Sequence, residues 1–227
     1  MSSSTPIAGA TTVAVAQRLN RRWIGIDITY QSIAVILERF ATTYKEGWPA
    51  IEANIVLDGV PKDKESAIAL ATKKDDRTRK EFEKWAILTF SKNKARINEK
   101  KGADGGVDGI AYFATDAQSN GKAIFQVKSG KTGRGDLATL NSDRLREKAE
   151  FGFLLCFDMP TKQMQGEIAA AGKYKHPYYD REDDRLQVVT VAELFAPLNR
   201  RLDLPMARDA VKAAAAAGDA DRQVPLL

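Results

Sequence analysis

Two stretches between residues 102 and 130 carry the side chains of this sequence best suited to metal-assisted chemistry. GADGGVDG places Asp108 among glycines, and AIFQVK ends an apolar run with Gln126 and Lys128. Carboxylate and amide oxygens suit a hard cation such as Mg²⁺. Such a cation neutralises charge developing on a phosphate, and a neighbouring lysine can orient or deprotonate the attacking water. These residue types therefore indicate phosphate chemistry, provided that the fold brings them together.

The spacing predicts that these residues meet at one end of a β-hairpin whose turn is DAQSNG. Because side chains alternate across a strand, Gln126 and Lys128 share one face and Val127 lies on the other. A turn centred near Gln118 places residue 108 opposite residue 128, so Asp108 joins them, and the Val127 carbonyl is a further candidate metal ligand. An aspartate and a lysine on facing strands also form ordinary surface ion pairs, worth less than about 1 kcal/mol. The hairpin alone leaves both interpretations open.

Basic residues flank the two predicted strands. Lys100 and Lys101 end the upstream stretch KNKARINEKK, and Lys131 and Arg134 lie in the downstream loop SGKTGRGD. We predict that these four residues contact a DNA backbone, although basic runs are also typical of solvated surfaces. The net charge of +5 and the isoelectric point of about 9.2 favour a polyanionic partner only weakly.

Residue counts exclude several other classes of site. The single cysteine, Cys156, excludes a disulfide framework and a cysteine-cluster zinc site, and it fits a reducing, cytoplasmic compartment. The single histidine, His176, argues against histidine-metal nucleases and Ser-His-Asp hydrolases; we predict a loop residue there, which could stack on DNA.

No apolar run approaches the roughly 20 residues of a membrane span. The three tryptophans are predicted in cores or interfaces: Trp23, Trp48 and Trp85.

Helical and strand-like segments alternate along the chain, which predicts an α/β fold. We predict helices over TTVAVAQRLNRR, QSIAVILERF, residues 65–71, DDRTRKEFEKWAILTF, residues 136–150 and TKQMQGEIAAAG. We predict strands over WIGIDI, VDGIAYFAT, KAIFQVK, FGFLLCF and RLQVVT, with WIGIDI and FGFLLCF buried. Asp136 and Gly172 are the predicted N-cap and C-cap of their helices. We divide the chain into residues 1–42, residues 43–206 and an alanine-rich tail, residues 207–227.

GADGGVDGIAYF together with AIFQVKSG resembles the PD-(D/E)xK nuclease superfamily, particularly the Mrr-like restriction endonucleases. In that family an aspartate opens the second strand and a Q/E/D-x-K motif follows on the next, which Asp108, Gln126 and Lys128 match. Glu83, in EFEKWAILTF, matches an upstream helical glutamate more loosely. Gln126 stands where many members carry an acid. The resemblance covers roughly residues 65–200.

This resemblance implies a restriction-endonuclease-like core, with a mixed central β-sheet flanked by helices. It implies a metal-dependent endodeoxyribonuclease that uses Mg²⁺, or Mn²⁺, on double-stranded DNA as part of restriction-modification. Asp108 would bind the metal, Gln126 would bind or orient it, Lys128 would position the attacking water, and Glu83 would support the metal. Asp104 is either an extra acid or a turn residue. Cleavage of both strands needs two cuts, so a homodimer is expected.

The segment TPIAGATTVAVAQRLNRRWIGIDITYQSIAVI resembles the end of a DNA amino-methyltransferase of the N4-cytosine or N6-adenine type. Gly9 matches its S-adenosylmethionine-binding loop, and Asp27 matches its ribose-binding acid. Thr5 stands where an aspartate is usual, Ile7 stands where an aromatic residue is usual, and the D-P-P-Y motif is absent from the chain. We predict a methyltransferase remnant that binds no cofactor, or a plain β-α unit packed on the nuclease.

Two other functions remain open at this point. One is a DNA-binding module without catalysis. The other is a fragment that completes an S-adenosylmethionine-dependent methyltransferase together with a partner subunit.

Overall fold

The computed structural model describes residues 4–6, 11–27, 30–73, 75–98, 106–115, 119–177, 180–195 and 200–204 of the 227-residue chain. The strands in chain order are β1 (Ser4–Pro6), β2 (Ile24–Ile26), β3 (Arg96–Ile97), β4 (Gly109–Ala114), β5 (Asn120–Val127), β6 (Phe151–Cys156), β7 (Lys173–Lys175), β8 (Glu182–Asp184) and β9 (Leu186–Thr190). The helices are α1 (Thr11–Arg18), α2 (Tyr30–Tyr44), α3 (Trp48–Glu52), α4 (Lys64–Ala71), α5 (Asp76–Ser91), α6 (Arg134–Arg146), α7 (Lys162–Ala170) and α8 (Val191–Phe195), with a 3₁₀ turn at Lys45–Gly47.

A five-stranded mixed sheet lies at the centre, in the order β3-β4-β5-β6-β9. β3, β4 and β5 pair antiparallel, whereas β5, β6 and β9 pair parallel. Every residue of β6 is buried because helices cover both faces of the sheet, which explains the continuous apolar run FGFLLCF. The predicted α/β fold with a mixed central sheet flanked by helices is confirmed.

Each face of the sheet has its own apolar core. On one face α4, α5 and α8 pack against side chains that include Phe125 and Val127 of β5. On the other face α6 and α7 pack against side chains that include Ile124 of β5 and Leu154 of β6. β5 therefore presents alternate residues to different helices, as the period of two requires.

Helix α5, which carries the predicted Glu83, is delimited by local signals. The side chain of Asp75 accepts a hydrogen bond from the backbone N–H of Thr78, and Lys92 ends the helix in the left-handed conformation (φ 52°). The apolar residues of α5 from Phe82 onward pack into the core, including Trp85. The predicted helix and the predicted core position of Trp85 are confirmed.

Helix α6 begins two residues before the predicted start. Its N-cap is Gly133, and Asp136 is the third helical residue, whose Oδ2 accepts a hydrogen bond from the Gly133 N–H at 2.9 Å. Asp136 thus caps the helix from inside the first turn, so its assignment as N-cap was wrong. Likewise Ala171 caps α7, and the predicted cap Gly172 (φ +74°) directly follows it.

The N-terminal residues form a small parallel unit in which β1 pairs with β2 and α1 connects them. Val13, Ile36 and Phe40 are buried beneath it, with Trp23 and Trp48 packed against them. The strand predicted over WIGIDI exists, but its predicted burial was wrong, because Ile24 and Ile26 are 56% and 63% exposed. Among the described residues β2 pairs with one strand only, β1, so the two strands form no larger sheet that could bury these side chains.

The predicted boundary at residues 42–43 falls inside the last turn of α2, which runs to Tyr44. Ile55, which follows α3, still packs against the same N-terminal cluster. The division of the chain stays a prediction, as does that of residues 207–227, which lie outside the described residues.

His176 is a buried residue of the loop that follows β7. It directly follows β7, is only 7% exposed, and its Nε2 lies 3.0 Å from the Ala114 carbonyl oxygen. Its ring also packs near Phe113 and Tyr174. The predicted loop position is confirmed, since His176 belongs to no helix or strand, but its buried ring is not available to stack on DNA. The β7–β8 hairpin that brings His176 inward was not predicted, because its sequences are short and largely polar.

None of the helices in the described parts of the chain is long and apolar enough to cross a membrane.

Gly121 lies in the β4–β5 hairpin at a point where there is no space for a larger side chain. A Cβ at this position would lie 2.4 Å from Cζ of Phe113, a fully buried ring. We expect Gly121→Ala to lower the free energy of unfolding by about 1–3 kcal/mol in urea titrations, because the ring has no room to move. The control Gly166→Ala, in an exposed turn of α7 with open space around it, should instead raise stability by about 0.5–1 kcal/mol.

Candidate active site

The register of the β4–β5 hairpin differs from the prediction by two residues. Gly109 pairs with Phe125 and Ala114 pairs with Asn120, so the hairpin is centred at residue 117 and residue 108 lies opposite Gln126, not Lys128. The shift arises because the turn closes one residue earlier than DAQSNG suggested. Asp108 still lies at the end of β5 that carries Gln126 and Lys128.

Three hydrogen bonds to neighbouring residues hold Asp108 in place. Its N–H donates to the Phe125 carbonyl and its own carbonyl accepts from the Asn98 N–H, both at 2.9 Å. Its side-chain Oδ2 accepts from the Val127 N–H, also at 2.9 Å. Oδ2 is therefore committed to the backbone of β5, and Oδ1 is the oxygen that faces the neighbouring helix.

Helix α5 supplies two further charged groups at this point. The Lys80 ammonium lies 2.7 Å from Oε2 of Glu83 and 3.6 Å from Oδ1 of Asp108. Residues three apart on a helix project from the same side, which is why Lys80 and Glu83 both reach the N-terminal end of β4, beside Asp108. The structure thus brings Glu83 and Asp108 together around one positive charge.

The surroundings of Asp108 disfavour its ionised form on balance. Burial is the largest influence and raises the pKa of its carboxyl, and the negative charge of Glu83 adds to this effect. The hydrogen bond from Val127 and the positive charges of Lys80 and Lys128 act in the opposite direction but do not outweigh it. A carboxylate in this position gains from any additional cation that reaches Oδ1.

Gln126 points to the other face of the sheet, toward α6. Its Nε2 donates to the Gly106 carbonyl at 3.0 Å, and its buried Oε1 has no hydrogen-bond partner among the described residues. Gly106 has a φ of +90°, and a Cβ there would lie 3.3 Å from Nε2 of Gln126 and 3.4 Å from Oδ2 of Asp143. The turn before β4 therefore needs glycine both for its backbone conformation and for the space beside these polar groups.

The predicted lysine of the motif lies just beyond β5. The backbone N–H of Lys128 donates to the Leu155 carbonyl at 2.9 Å, which ties it to β6. Its ammonium is partly exposed and lies 3.8 Å from Oδ1 of Asp136, the residue that caps α6. Asp136 thus restrains Lys128 at the start of the helix.

The predicted DNA contacts divide into two groups. Lys131 and Arg134 are both exposed, and the Arg134 guanidinium lies 2.6 Å from Oε1 of Glu167. Lys100 and Lys101 lie outside the described residues, as does Asp104, the possible additional acid.

The side chains present fit a divalent cation. Two carboxylates, from Asp108 and Glu83, already share one positively charged group, and the Lys80 ammonium acts there as a stand-in ion. Oε1 of Gln126 lies at the same end of the hairpin but on the α6 side of the sheet, and it has no hydrogen-bond partner among the described residues. The described residues contain no group of three or more His, Cys, Asp and Glu side chains that could hold a metal. Two acids alone leave most positions around a divalent cation open, so any further protein ligands would have to be amide or backbone oxygens.

Sequence reasoning missed two charged residues here and misplaced a third. Lys80 could have been found from its i, i+3 spacing to Glu83 on a helix. Asp136 was found but given the wrong position. Asp143 of α6, only 4% exposed, carries an Oδ2 without a hydrogen-bond partner among the described residues. Its place beside Gly106 depends on how α6 packs, so no local signal pointed to it.

Comparison with known proteins bears on the centre of the chain. Residues 75–175 match the restriction endonuclease family model of the Mrr catalytic domain. The matched region begins at the N-cap of α5, ends with β7, and contains Glu83, Asp108, Gln126 and Lys128. The match supports the resemblance to Mrr-like PD-(D/E)xK nucleases. The chain matches no curated protein and no solved structure.

The N-terminal resemblance lies outside the matched region. Asp27 directly follows β2, as the ribose-binding acid of a methyltransferase would, whereas Gly9 lies outside the described residues. The methyltransferase remnant stays a prediction.

The raised pKa of Asp108 predicts a specific pH dependence of stability. Between the ordinary pKa and the raised one the folded protein binds more protons than the unfolded chain, so the free energy of unfolding falls as the pH rises through this window. Without divalent ions, Asp108→Asn should therefore be more stable than the wild type at pH 7–8. The difference should shrink as the pH falls below the raised pKa.

Thermal melts in a chelator at several pH values measure this effect. Asp180→Asn, at an exposed position, is the control and should change stability little at any pH. An Asp108→Asn protein that is less stable than the wild type at pH 8 contradicts the prediction.

Proposed function

We propose that residues 43–206 form a Mg²⁺-dependent endonuclease that hydrolyses phosphodiester bonds of double-stranded DNA, as part of a restriction-modification protein. The observation that carries the proposal is the convergence of Asp108 and Glu83 on one cationic group. These residues meet at the C-terminal end of β5, within the region that matches a restriction endonuclease domain. Mn²⁺ is expected to substitute, because oxygen ligands suit both ions.

Each residue has a distinct role in this proposal. Asp108 and Glu83 hold the cation, with Oε1 of Gln126 and the Val127 carbonyl as further oxygen donors. The bound cation supplies Lewis-acid stabilisation of the charge that develops on the phosphate.

Lys128 has the role of positioning the attacking water. Its partial exposure leaves the ammonium accessible, and its 3.8 Å separation from Asp136 limits where it can point. A cation at this place also stabilises an anionic transition state. Lys131 and Arg134 extend the positive surface along the loop, where the DNA backbone is proposed to lie.

A DNA-binding module without catalysis is the second candidate function. It is favoured by Gln126, which stands where many relatives of the superfamily carry an acid, and by the presence of Lys80 between the two carboxylates. Both features lower the net negative charge available to a metal. The cleavage experiment below separates the two functions, since such a module binds DNA without cutting it.

The remaining parts of the proposal concern context. A homodimer would place two active sites on the two strands of DNA.

Residues 1–42 are proposed to be a methyltransferase remnant, supported by the parallel β1–α1–β2 unit that ends at Asp27. A calorimetric titration with S-adenosylmethionine tests whether this unit still binds the cofactor or completes a partner methyltransferase subunit. A cytoplasmic location is proposed because the substrate is DNA.

Cleavage of supercoiled plasmid in Mg²⁺ tests the catalytic assignment. We expect Asp108→Ala and Lys128→Ala each to reduce nicking at least about 100-fold, because each removes a group that acts on the reacting phosphate or water. Chelation of the metal should abolish nicking in the wild type, and added Mg²⁺ should restore it.

The matched control is Lys173→Ala, an exposed lysine on β7. It should cut like the wild type. Retained cutting in both site variants would contradict the assignment, whereas a wild type that binds DNA and never cuts supports the binding module.

Lys131 tests the proposed DNA-binding surface. If its ammonium contacts a phosphate, Lys131→Ala should weaken DNA binding to all sequences alike and lower the slope of log K against log salt by about 1. Fluorescence anisotropy at several salt concentrations, in Ca²⁺ to prevent cutting, measures the slope. An unchanged slope would remove Lys131 from the interface.

A further inference from the structure

Lys80 occupies an unusual place for a helix-surface lysine. Its side chain is only 24% exposed, and its ammonium lies between Glu83 at 2.7 Å and Asp108 at 3.6 Å. The two acids come from different elements, α5 and the turn before β4, so this contact joins parts of the chain that are 25 residues apart in sequence.

Lys84, one turn further along α5, shows what an ordinary lysine of this helix does. Its ammonium lies 3.2 Å from Glu81 on the same helix, and its side chain is 22% exposed. Lys80 and Lys84 thus have similar burial, helix and type of partner. They differ in that Lys80 contacts Asp108 and Glu83, whereas Glu81, the acid that Lys84 contacts, is not one of the acids of the proposed metal site.

A monovalent ammonium and a divalent cation cannot both take the same oxygens at close range, because two positive centres a few ångströms apart repel each other. The two carboxylates are the acids of the proposed metal site. Lys80 therefore balances their charge in the structure described here, and a metal must displace it to reach them.

We propose that Lys80 is the internal counter-ion of the site, which competes with the divalent cation for Glu83 and Asp108 and so weakens metal binding. The inference rests on the proposed function, since it assumes that these two acids hold the metal. Lys80 is in this sense a residue that sets the metal concentration at which the site fills.

Isothermal titration of the metal-free full-length chain with Mn²⁺, and then with Mg²⁺, tests the competition directly. Lys80→Met keeps an unbranched side chain of similar length and removes the charge. We expect Lys80→Met to bind Mn²⁺ about tenfold more tightly than the wild type, on the order of the repulsion removed at this distance. The control Lys84→Met should bind within about twofold of the wild type, since Glu81, the acid that it contacts, is not part of the proposed site.

A double variant shows where the gained affinity arises. Lys80→Met combined with Asp108→Ala should lose the gain, because the oxygen for which Lys80 competes is then absent. Circular dichroism melts check that each variant is folded, and Lys80→Gln replaces Lys80→Met if the latter fails to fold.

The outcomes separate this inference from the proposed function. If the wild type binds metal and cuts DNA, but Lys80→Met binds metal equally or more weakly, the competition is wrong and the nuclease stands. Metal binding that appears only in Lys80→Met supports the competition and contradicts a metal-dependent wild-type enzyme. If neither protein binds Mn²⁺ at millimolar concentration, both the competition by Lys80 and the proposed metal-dependent nuclease are contradicted.

Discussion

The candidate site depends on one hydrogen bond, in which the backbone N–H of Val127 donates to Oδ2 of Asp108. This contact ties a charged side chain to the last residue of β5, at the point where the hairpin ladder ends. It satisfies a backbone donor that would otherwise be unpaired in a buried place. Because Oδ2 is engaged in this way, Oδ1 is directed toward α5, and the carboxylate is held where burial disfavours its charge. A neighbouring cation offsets this cost, and in the structure the Lys80 ammonium lies 3.6 Å from Oδ1.

The mixed topology of the sheet explains why several elements can reach this point. β5 pairs antiparallel with β4 on one side and parallel with β6 on the other. Its C-terminal end therefore lies beside Asp108, which directly precedes β4, and beside the C-terminal end of β6, where the loops of parallel strands open. Glu83 approaches from α5 on one face, while Gln126 turns toward α6 on the other. The site is thus formed around the end of a strand and not on a single face of the sheet.

The N-terminal unit follows a different principle of stability. A two-stranded sheet is marginal by itself, and Ile24 and Ile26 on β2 remain largely exposed. Phe40 supplies the buried centre, with the rings of Trp23 and Trp48 packed edge-on against it. This aromatic cluster accounts for the order of α1, α2 and α3 without a large sheet.

Patterns of short range were sufficient for much of the fold and for nominating the candidate site residues, whose roles stay predictions. The apolar run of β6, the N-cap at Asp75 and the apolar residues of α5 each depend on neighbours a few residues apart, so the sequence alone determined these elements. The types and spacing of Asp108, Gln126 and Lys128 likewise indicated metal-assisted phosphate chemistry. The short polar strands β7 and β8 carry no such pattern, and with them the burial of His176 was missed.

Tertiary structure decided everything that depends on register and on packing between distant segments. The hairpin is centred one residue earlier than predicted, which sets Asp108 opposite Gln126, because moving the centre by one residue shifts every pair by two. The packing of α5 on the sheet brought Lys80 between two acids, and that of α6 brought Asp143 beside Gly106. Such contacts arise from the balance of burial and charge across the whole domain, which no local stretch of sequence contains.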